Sequence, residues 1–298
     1  MDRRALESEL ARATSYAQWV AVLTQYFSAH DLAFGHGTDN PADEAYWLVR
    51  HLQSWRDEPL ETAADRTLCK SAVDLAEKRT VERIPLAYLV GETWFAGLKF
   101  KVDSRALIPR SPLAEIIEAS FAPWCAVKDG DRILDIGTGS GCLAIAAAVH
   151  CPGTSVDATD VSAAALAVAA ENVAGHGVAD RVRLFQADLF PPADARYRVI
   201  MSNPPYVPAG AIAELPAEYG YEPRVALDGG ATGLAVAERI LRGAGTRLER
   251  DGVLVVEVGA GWEAFSAAHP LLEVTWIELA RGGDGVFVIT AEELARGI

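Results

Sequence analysis

The stretch Ile133-Leu134-Asp135-Ile136-Gly137-Thr138-Gly139-Ser140-Gly141 constrains the fold more than any other part of the chain. An apolar run breaks into a turn with glycine at every second position and then into the alanine-rich helical pattern of residues 142 to 149. That order describes a strand that feeds a helix through a tight loop, where backbone approaches a nucleotide-like ligand closely. A second stretch, Asn203-Pro204-Pro205-Tyr206, follows the strand-like Tyr197-Arg198-Val199-Ile200-Met201. Together they place a cofactor site and a reacting site on one sheet edge.

Around these anchors the pattern alternates. From Arg132 onward it predicts strands at 132–136, 155–159, 181–186, 197–201 and 253–258, with helices at 141–149, 162–174, 231–248 and 262–268. Two closing strands near 272–279 and 285–290 follow each other directly, which predicts an antiparallel edge, with Arg281-Gly282-Gly283-Asp284-Gly285 as their turn. Upstream, Leu6, Leu10, Ala13, Ala17, Val20 and Leu23 recur at helical spacing, as do Ala45, Leu48, Val49 and Leu52. They predict a small helical domain, with a further helix over 68–82. Phe34 to Pro41 separates two of its helices, with Asn40 or Asp39 as cap and Pro41 in the first turn. This loop is either a simple connection or a recognition loop. Glycine between the aromatic runs at 93–102 predicts a β-hairpin. The expected domains are therefore 1–87 helical, 88–110 hairpin and linker, and 111–298 an α/β catalytic domain.

A length of 298 residues with half of them hydrophobic suits a folded chain with one large and one small domain. No run has transmembrane length, and Met1 to Glu7 lacks a signal-like apolar core, so the expected location is the cytoplasm, with no membrane partner. Cys69, Cys125, Cys142 and Cys151 show no metal-binding spacing, so no metal is expected. The formal charge of −14 disfavours a stable nucleic-acid complex and suits a basic protein partner.

The glycine turn reads GxGxG, with Cys142 where a dinucleotide fingerprint continues differently, and no phosphate-binding GxxxxGK[ST] occurs. Asp160, at the end of the second strand, is placed to accept both ribose hydroxyls. Asp188, leaving the third, is placed to accept an adenine amino group, with Leu189 packing on the ring. Asp135 precedes the turn and either binds turn amides or lies near a cationic part of the ligand, which favours a sulfonium cofactor over a pyrophosphate. Asn203 and the Pro204 carbonyl are acceptors for the two hydrogens of a planar NH2 group, stiffened by Pro205, and Tyr206 is suited to bound the substrate pocket. Such a grip aims a delocalised nitrogen at an electrophilic methyl group. The long connection from Leu215 to Gly230 is a candidate lid; in it, Glu222 either orients Asn203 or pairs with an arginine. Arg110 either meets the cofactor carboxylate or braces a structural corner.

These residues resemble the class I S-adenosyl-methionine-dependent methyltransferases, specifically the protein N5-glutamine methyltransferases, over nearly the whole chain. The resemblance implies a Rossmann-like, seven-stranded, mostly parallel sheet behind a small helical domain and a connecting hairpin. It implies that Gly137, Gly139 and Gly141, with Thr138 in the same turn, hold the methionine part of the cofactor. Asp160 would then hold the ribose, Asp188 the adenine, and Asn203 with Pro204 the glutamine amide. One branch of this family modifies the GGQ glutamine of peptide-chain release factors and another a glutamine of ribosomal large-subunit protein 3. Ser111-Pro112-Leu113-Ala114-Glu115 departs from the proline-glutamate-threonine typical of the release-factor branch. With Phe34 to Asn40 and Trp94-Phe95-Ala96-Gly97, it looks like the ribosomal-protein branch. The expected partner is ribosomal large-subunit protein 3, free or early in assembly; oligomeric state is not legible.

Overall fold

The computed structural model describes residues 1–192 and 194–297. By contacts the chain divides into two units: Met1–Glu92 together with Pro216–Tyr221, and Thr93–Leu215 together with Glu222–Ile298.

The first unit is helical, with α1 (Arg3–Arg12), α2 (Tyr16–Ser28), α3 (Pro41–Leu52), α4 (Cys69–Glu77) and α5 (Leu86–Val90). Short polar side chains start the first three: Asp2, Ser15 and Asn40 each accept a backbone N–H from the first turn. Asn40 is the cap the sequence offers, and Pro41 occupies the first turn, where no N–H is needed. The core is Leu6, Leu10, Trp19, Leu23, Phe27 and Leu48, all fully buried. Trp19 and Phe27 are its largest apolar members, and the Trp19 indole donates to the Leu10 carbonyl (3.0 Å), so its one polar atom is satisfied. The helix expected over 68–82 closes in a wider π-helical turn, Lys78–Glu82, that ends at Arg83 in the left-handed region.

The second unit opens with a hairpin, β1 (Glu92–Phe95) and β2 (Leu98–Lys101), whose first residue still belongs to the helical unit. Ala96 and Gly97 both have positive φ, the geometry that matches the twist of a two-residue hairpin. After α6 (Leu113–Glu118) come β3 (Arg132–Ile136), α7 (Cys142–His150), β4 (Ser155–Asp160), α8 (Ala163–Gly175), β5 (Val182–Gln186) and β6 (Tyr197–Ser202). The chain closes with α9 (Ala235–Ala244), β7 (Leu248–Glu257), α10 (Trp262–Ala268), β8 (Thr275–Trp276), β9 (Val286–Thr290) and α11 (Ala291–Gly297).

The strands form one seven-stranded sheet in the order β5-β4-β3-β6-β7-β9-β8, with β9 antiparallel to both neighbours. Ile133, Val156, Val199, Met201, Val253 and Val255 pack on one face, while Leu134, Ile136, Ile200, Leu254 and Val256 pack on the other. A sheet buried on both sides explains why these strands read as continuous apolar runs. This is the class I α/β arrangement expected from the sequence, with the antiparallel edge in place.

Three boundaries differ from the sequence reading. The strand expected at 253 starts at Leu248, with an irregular register opposite Tyr197 to Val199; a Cβ at Gly252 would stand 2.9 Å from the carbonyl oxygens of Tyr197 and Arg198. The helix expected from 231 starts only at Ala235, because Gly230 and Gly233 have positive φ and Gly229 donates to the Val207 carbonyl. The strand expected over 272–279 is short: Thr275 and Trp276 form its ladder and Ile277 N–H donates to the Val286 carbonyl (2.9 Å), while Trp276 packs edge-on against Phe265 and Phe287.

Candidate active site

Strand order reverses at β3, which has β4 on one side and β6 on the other, and the crevice beyond such a point is where α/β sheets bind ligands. Ile136 pairs with Thr159 in β4 and Ser202 in β6, so Gly137, Asp160 and Asn203 are the next residues of three adjacent strands. They line a cavity of about 380 Å³, shared with Gly139, Asp188 and Leu189.

Each glycine of the turn is left-handed, which a side chain would resist. Their surroundings differ. A Cβ at Gly137 or Gly139 would meet no protein atom, so the space beside them is open. At Gly141 it would stand 3.2 Å from Ala169 Cβ and Ile145 Cδ1, so this glycine lets α7 pack on α8 and is not among the residues around the cavity.

Asp135 also lies outside the cavity wall. It is fully buried, and its Oδ2 accepts from the Thr138 hydroxyl (2.6 Å) and from Ala144 N–H in the first turn of α7 (3.1 Å). These bonds tie the turn, through the buried Thr138 hydroxyl, to the start of α7. Burial pushes the Asp135 carboxyl up to about 7, Thr138 and Ala144 oppose this, and the nearby Asp160 charge adds to it.

Asp160 is built into the turn as well as facing the cavity. Its Oδ2 accepts from Gly139 N–H (2.9 Å) and its Oδ1 from Ser162 N–H (2.8 Å). Burial raises its pKa against those backbone bonds. Asp188 is more exposed, and its Oδ2 accepts from Arg239 of α9 (2.7 Å), a second residue of the cavity wall. Leu189 follows in the left-handed region, φ 72°, and its carbonyl accepts from the Thr159 hydroxyl (2.6 Å). Strain in a branched apolar residue, held by a buried hydroxyl, sets that side chain against the cavity.

Asn203 and Pro205 border this cavity, whereas Tyr206 borders another, of about 500 Å³, with Arg110, Glu257 and Trp262. The Tyr206 hydroxyl donates to Glu257 Oε1 (3.0 Å). Its ring lies so close to Gly259 that a Cβ there would sit 2.7 Å from Cε2. Arg110 donates through both terminal nitrogens to buried Glu222 (2.7 and 2.6 Å), which also accepts from Ile108 N–H (3.2 Å). Both residues thus take the structural option the sequence left open.

The connection after Tyr206 begins and ends in register: Val207 N–H donates to the Leu227 carbonyl, and Gly229 N–H to that of Val207. Its return limb supplies Pro223, Val225, Ala226 and Asp228 to the cavity that Asn203 borders. Between these limbs, Pro216–Tyr221 belongs to the helical unit. There Glu218, fully buried, accepts from Arg79 (2.9 Å), from Arg83 through both oxygens (2.8 Å each) and from Ala33 N–H (2.9 Å). Burial works against its charge, but Arg83 and Arg79 prevail and bring it down to about 2. Buried Arg79 is shared with Glu44 (2.7 Å), so the cluster holds two guanidinium groups against two carboxylates.

The sequence reading missed Arg239, Glu257 and Gly259, and took Ser111 only as part of a branch-marking segment. Glu257 had a signal: it ends Val253-Leu254-Val255-Val256, as Asp160 ends its own strand. Among the described residues no group of three or more His, Cys, Asp or Glu is arranged to hold a metal, and no helix is long and apolar enough to cross a membrane.

Residues 121–215 match the family described as methyltransferase small domain. The chain is 45% identical over 276 residues to a ribosomal protein uL3 glutamine methyltransferase of Bordetella pertussis, spanning 90% of this chain and 92% of that one. It is 44% identical over 283 residues to the protein of the same name in Burkholderia pseudomallei, spanning 90% and 92%. A similarly named protein of Xylella fastidiosa is 43% identical, spanning 90% and 87%.

Proposed function

We infer the activity from a premise the relatives establish: the chain belongs to the ribosomal protein uL3 glutamine methyltransferase family. It transfers a methyl group from S-adenosyl-methionine to the side-chain nitrogen of a glutamine in ribosomal protein uL3. The observation that carries this reading is the meeting of Gly137, Gly139, Asp160, Asp188 and Asn203 around one cavity at the strand-order switch.

The residues present fit the cofactor. Open space beside Gly137 and Gly139 admits a ligand against bare backbone, and the two aspartates with left-handed Leu189 offer acceptors and an apolar surface in sequence along the edge. Three aspartates line the cavity against Arg105 and Arg239, a balance that suits a cation better than a pyrophosphate. When bound, S-adenosyl-methionine supplies an electrophilic methyl group on a positive sulfur.

Asn203 Oδ1 and the Pro204 carbonyl accept the two hydrogens of the glutamine NH2. Pro204 and Pro205 have no backbone N–H to compete for that carbonyl pair, and their rings stiffen the grip. The grip orients the delocalised lone pair, and its acceptors raise electron density on the nitrogen. As the N–C bond formed, the methyl–sulfur bond would break to leave a neutral thioether, and the nitrogen, made cationic, would release one N–H proton past its acceptor to water. Asp160 and the turn amides it braces hold the donor side still.

The substrate is the free or early-assembling protein, in the cytoplasm. A chain of formal charge −14 is attracted to a basic ribosomal protein and repelled by an RNA-coated particle.

To test this, the purified enzyme is incubated with methyl-labelled S-adenosyl-methionine and, separately, unmodified uL3, intact large subunits and a release factor. Peptide fragmentation then locates the methyl group. A single modified glutamine in free uL3, formed faster than in subunits, is the expected result. Preference for the release factor defeats the substrate assignment, and equal rates on free protein and subunits defeat the assembly stage.

A further inference from the structure

Tyr206 is gripped at its hydroxyl and at its ring, and neither point belongs to the cofactor cavity. Its hydroxyl donates to Glu257 Oε1 at 3.0 Å. Its ring rests on the bare Cα of Gly259, which has φ +51° and is itself pressed from behind, since a Cβ at Gly285 would fall 2.0 Å from the Gly259 carbonyl oxygen. Glu257 is in turn fixed by Ser111, whose hydroxyl donates to Oε2 at 2.6 Å and accepts from Leu113 N–H at 3.2 Å, in the first turn of α6. A carboxylate at the end of a buried strand, with one donor on each oxygen, is costly to place there unless its hydrogen bonds do something.

We propose that Glu257 is a positioning residue for the methyl transfer, fixing the hydroxyl and ring of Tyr206 through a Ser111–Glu257–Tyr206 hydrogen-bond chain. This rests on the reading of Asn203–Tyr206 as the reacting site. The ionised carboxylate accepts from both hydroxyls at once. On protonation one oxygen becomes a donor and one of the two hydroxyls must turn, which loosens the hold on Tyr206.

The groups facing Glu257 are Ser111 and Arg110 from the linker side and Tyr206 from the reacting loop. Glu263 of α10 and Asp284 of the last hairpin share the adjoining cavity. Burial pushes the Glu257 carboxyl up to about 7, with Ser111, Tyr206 and the Arg110 charge opposing it. The change of state therefore falls in the range where the enzyme can be assayed.

The test uses the full-length protein labelled with carbon-13 at the tyrosine ring, the Tyr206 resonance being identified by its loss in Tyr206→Phe. Without any substrate, that resonance should shift with a midpoint near pH 7 in the wild type and stay flat in Glu257→Gln. With uL3 as substrate, kcat should rise roughly fivefold through the same midpoint, in proportion to the stronger hydrogen bond of the ionised form. Glu257→Gln, which keeps the shape but replaces one acceptor oxygen with a donor as protonation does, should hold kcat near its low-pH level whatever the pH there and retain more activity than Glu257→Ala. KM for S-adenosyl-methionine should change little in either.

A Tyr206 resonance that ignores pH between 5 and 9, or one that still titrates in Glu257→Gln, overturns the proposal. So does a pH profile of kcat that Glu257→Gln leaves unaltered. Because the resonance is read without substrate, a wild type that fails to methylate uL3 defeats the substrate assignment and leaves the positioning role to be decided by the titration.

Discussion

Asn203 and Tyr206 stand at opposite ends of one tetrapeptide and are supported differently. Asn203 faces a cavity whose polar groups come from the ends of adjacent strands, among them Asp160, which also braces Gly139 in the turn of the neighbouring strand. Tyr206 faces a cavity whose support arrives from Ser111 and Glu257, distant in sequence and linked by side chains. The first is a surface of backbone open to a ligand, where the protein must leave room. The second also borders open space, but its Tyr206 wall is a tight joint, where Gly259 and Gly285 let a ring and a backbone touch. One side holds by bare backbone and acceptors, the other by packing and a charge kept out of water, so damage to the two sides should be separable in kinetics.

The largest effect expected is at the seam. Asn203→Ala removes an acceptor for the amide hydrogens while the strand-end aspartates remain, so kcat should fall about 10³-fold, the scale of losing one preorganised polar group at a reacting centre. Cofactor affinity, measured by calorimetry, should move less than about threefold. Proportional loss of both would show that the two sides are one device and break the comparison.

The same contrast decides what was legible beforehand. The glycine turn, Asp160, Asp188 and Asn203 could be found because each sits where a strand ends, and strand ends are marked by local pattern. The mostly parallel sheet and its antiparallel edge followed for the same reason, whereas the strand order that sets the switch point did not. Ser111 and Glu257 are separated by 146 positions, and Glu218 by 139 from Arg79, so no periodicity links them. Glu218 stood in the connection expected to act as a lid, yet its carboxylate is sealed among arginines of the helical unit, which only tertiary packing could reveal. The strand and helix limits that slipped, at Leu248 and Ala235, lie beside Gly252, Gly230 and Gly233, where close backbone contacts override side-chain pattern.

Next in size is Asp160→Ala, which sharpens the comparison from the cofactor side. It removes a carboxylate placed to accept from ribose hydroxyls and withdraws the brace on Gly139. Hydrogen bonds to a charged group contribute roughly 1.5–3 kcal/mol. Affinity for S-adenosyl-methionine should therefore weaken roughly 10- to 100-fold. At saturating cofactor most of kcat should survive, and the pH response of Tyr206 should persist, since neither Ser111 nor Glu257 has been touched. A loss confined to kcat would reverse the roles assigned to Asp160 and Asn203.

Asp188 should matter least of the three, and the reason lies in its solvent exposure. Its side chain is 65% exposed and paired with Arg239, itself 45% exposed. Such a pair contributes well under about 1 kcal/mol, because water screens it and both side chains lose freedom in forming it. Asp188→Ala should weaken cofactor binding by about two- to fivefold and leave kcat unchanged. Arg239 uses only Oδ2 of the carboxylate, so its effect on an adenine ligand passes through the orientation of Asp188. Arg239→Ala should then give a similar, smaller loss, and the double variant should bind no worse than Asp188→Ala alone. Additive losses would mean that Arg239 meets the ligand itself, as its place in the cavity wall permits, and the cofactor side would then hold by a cation as well as by acceptors.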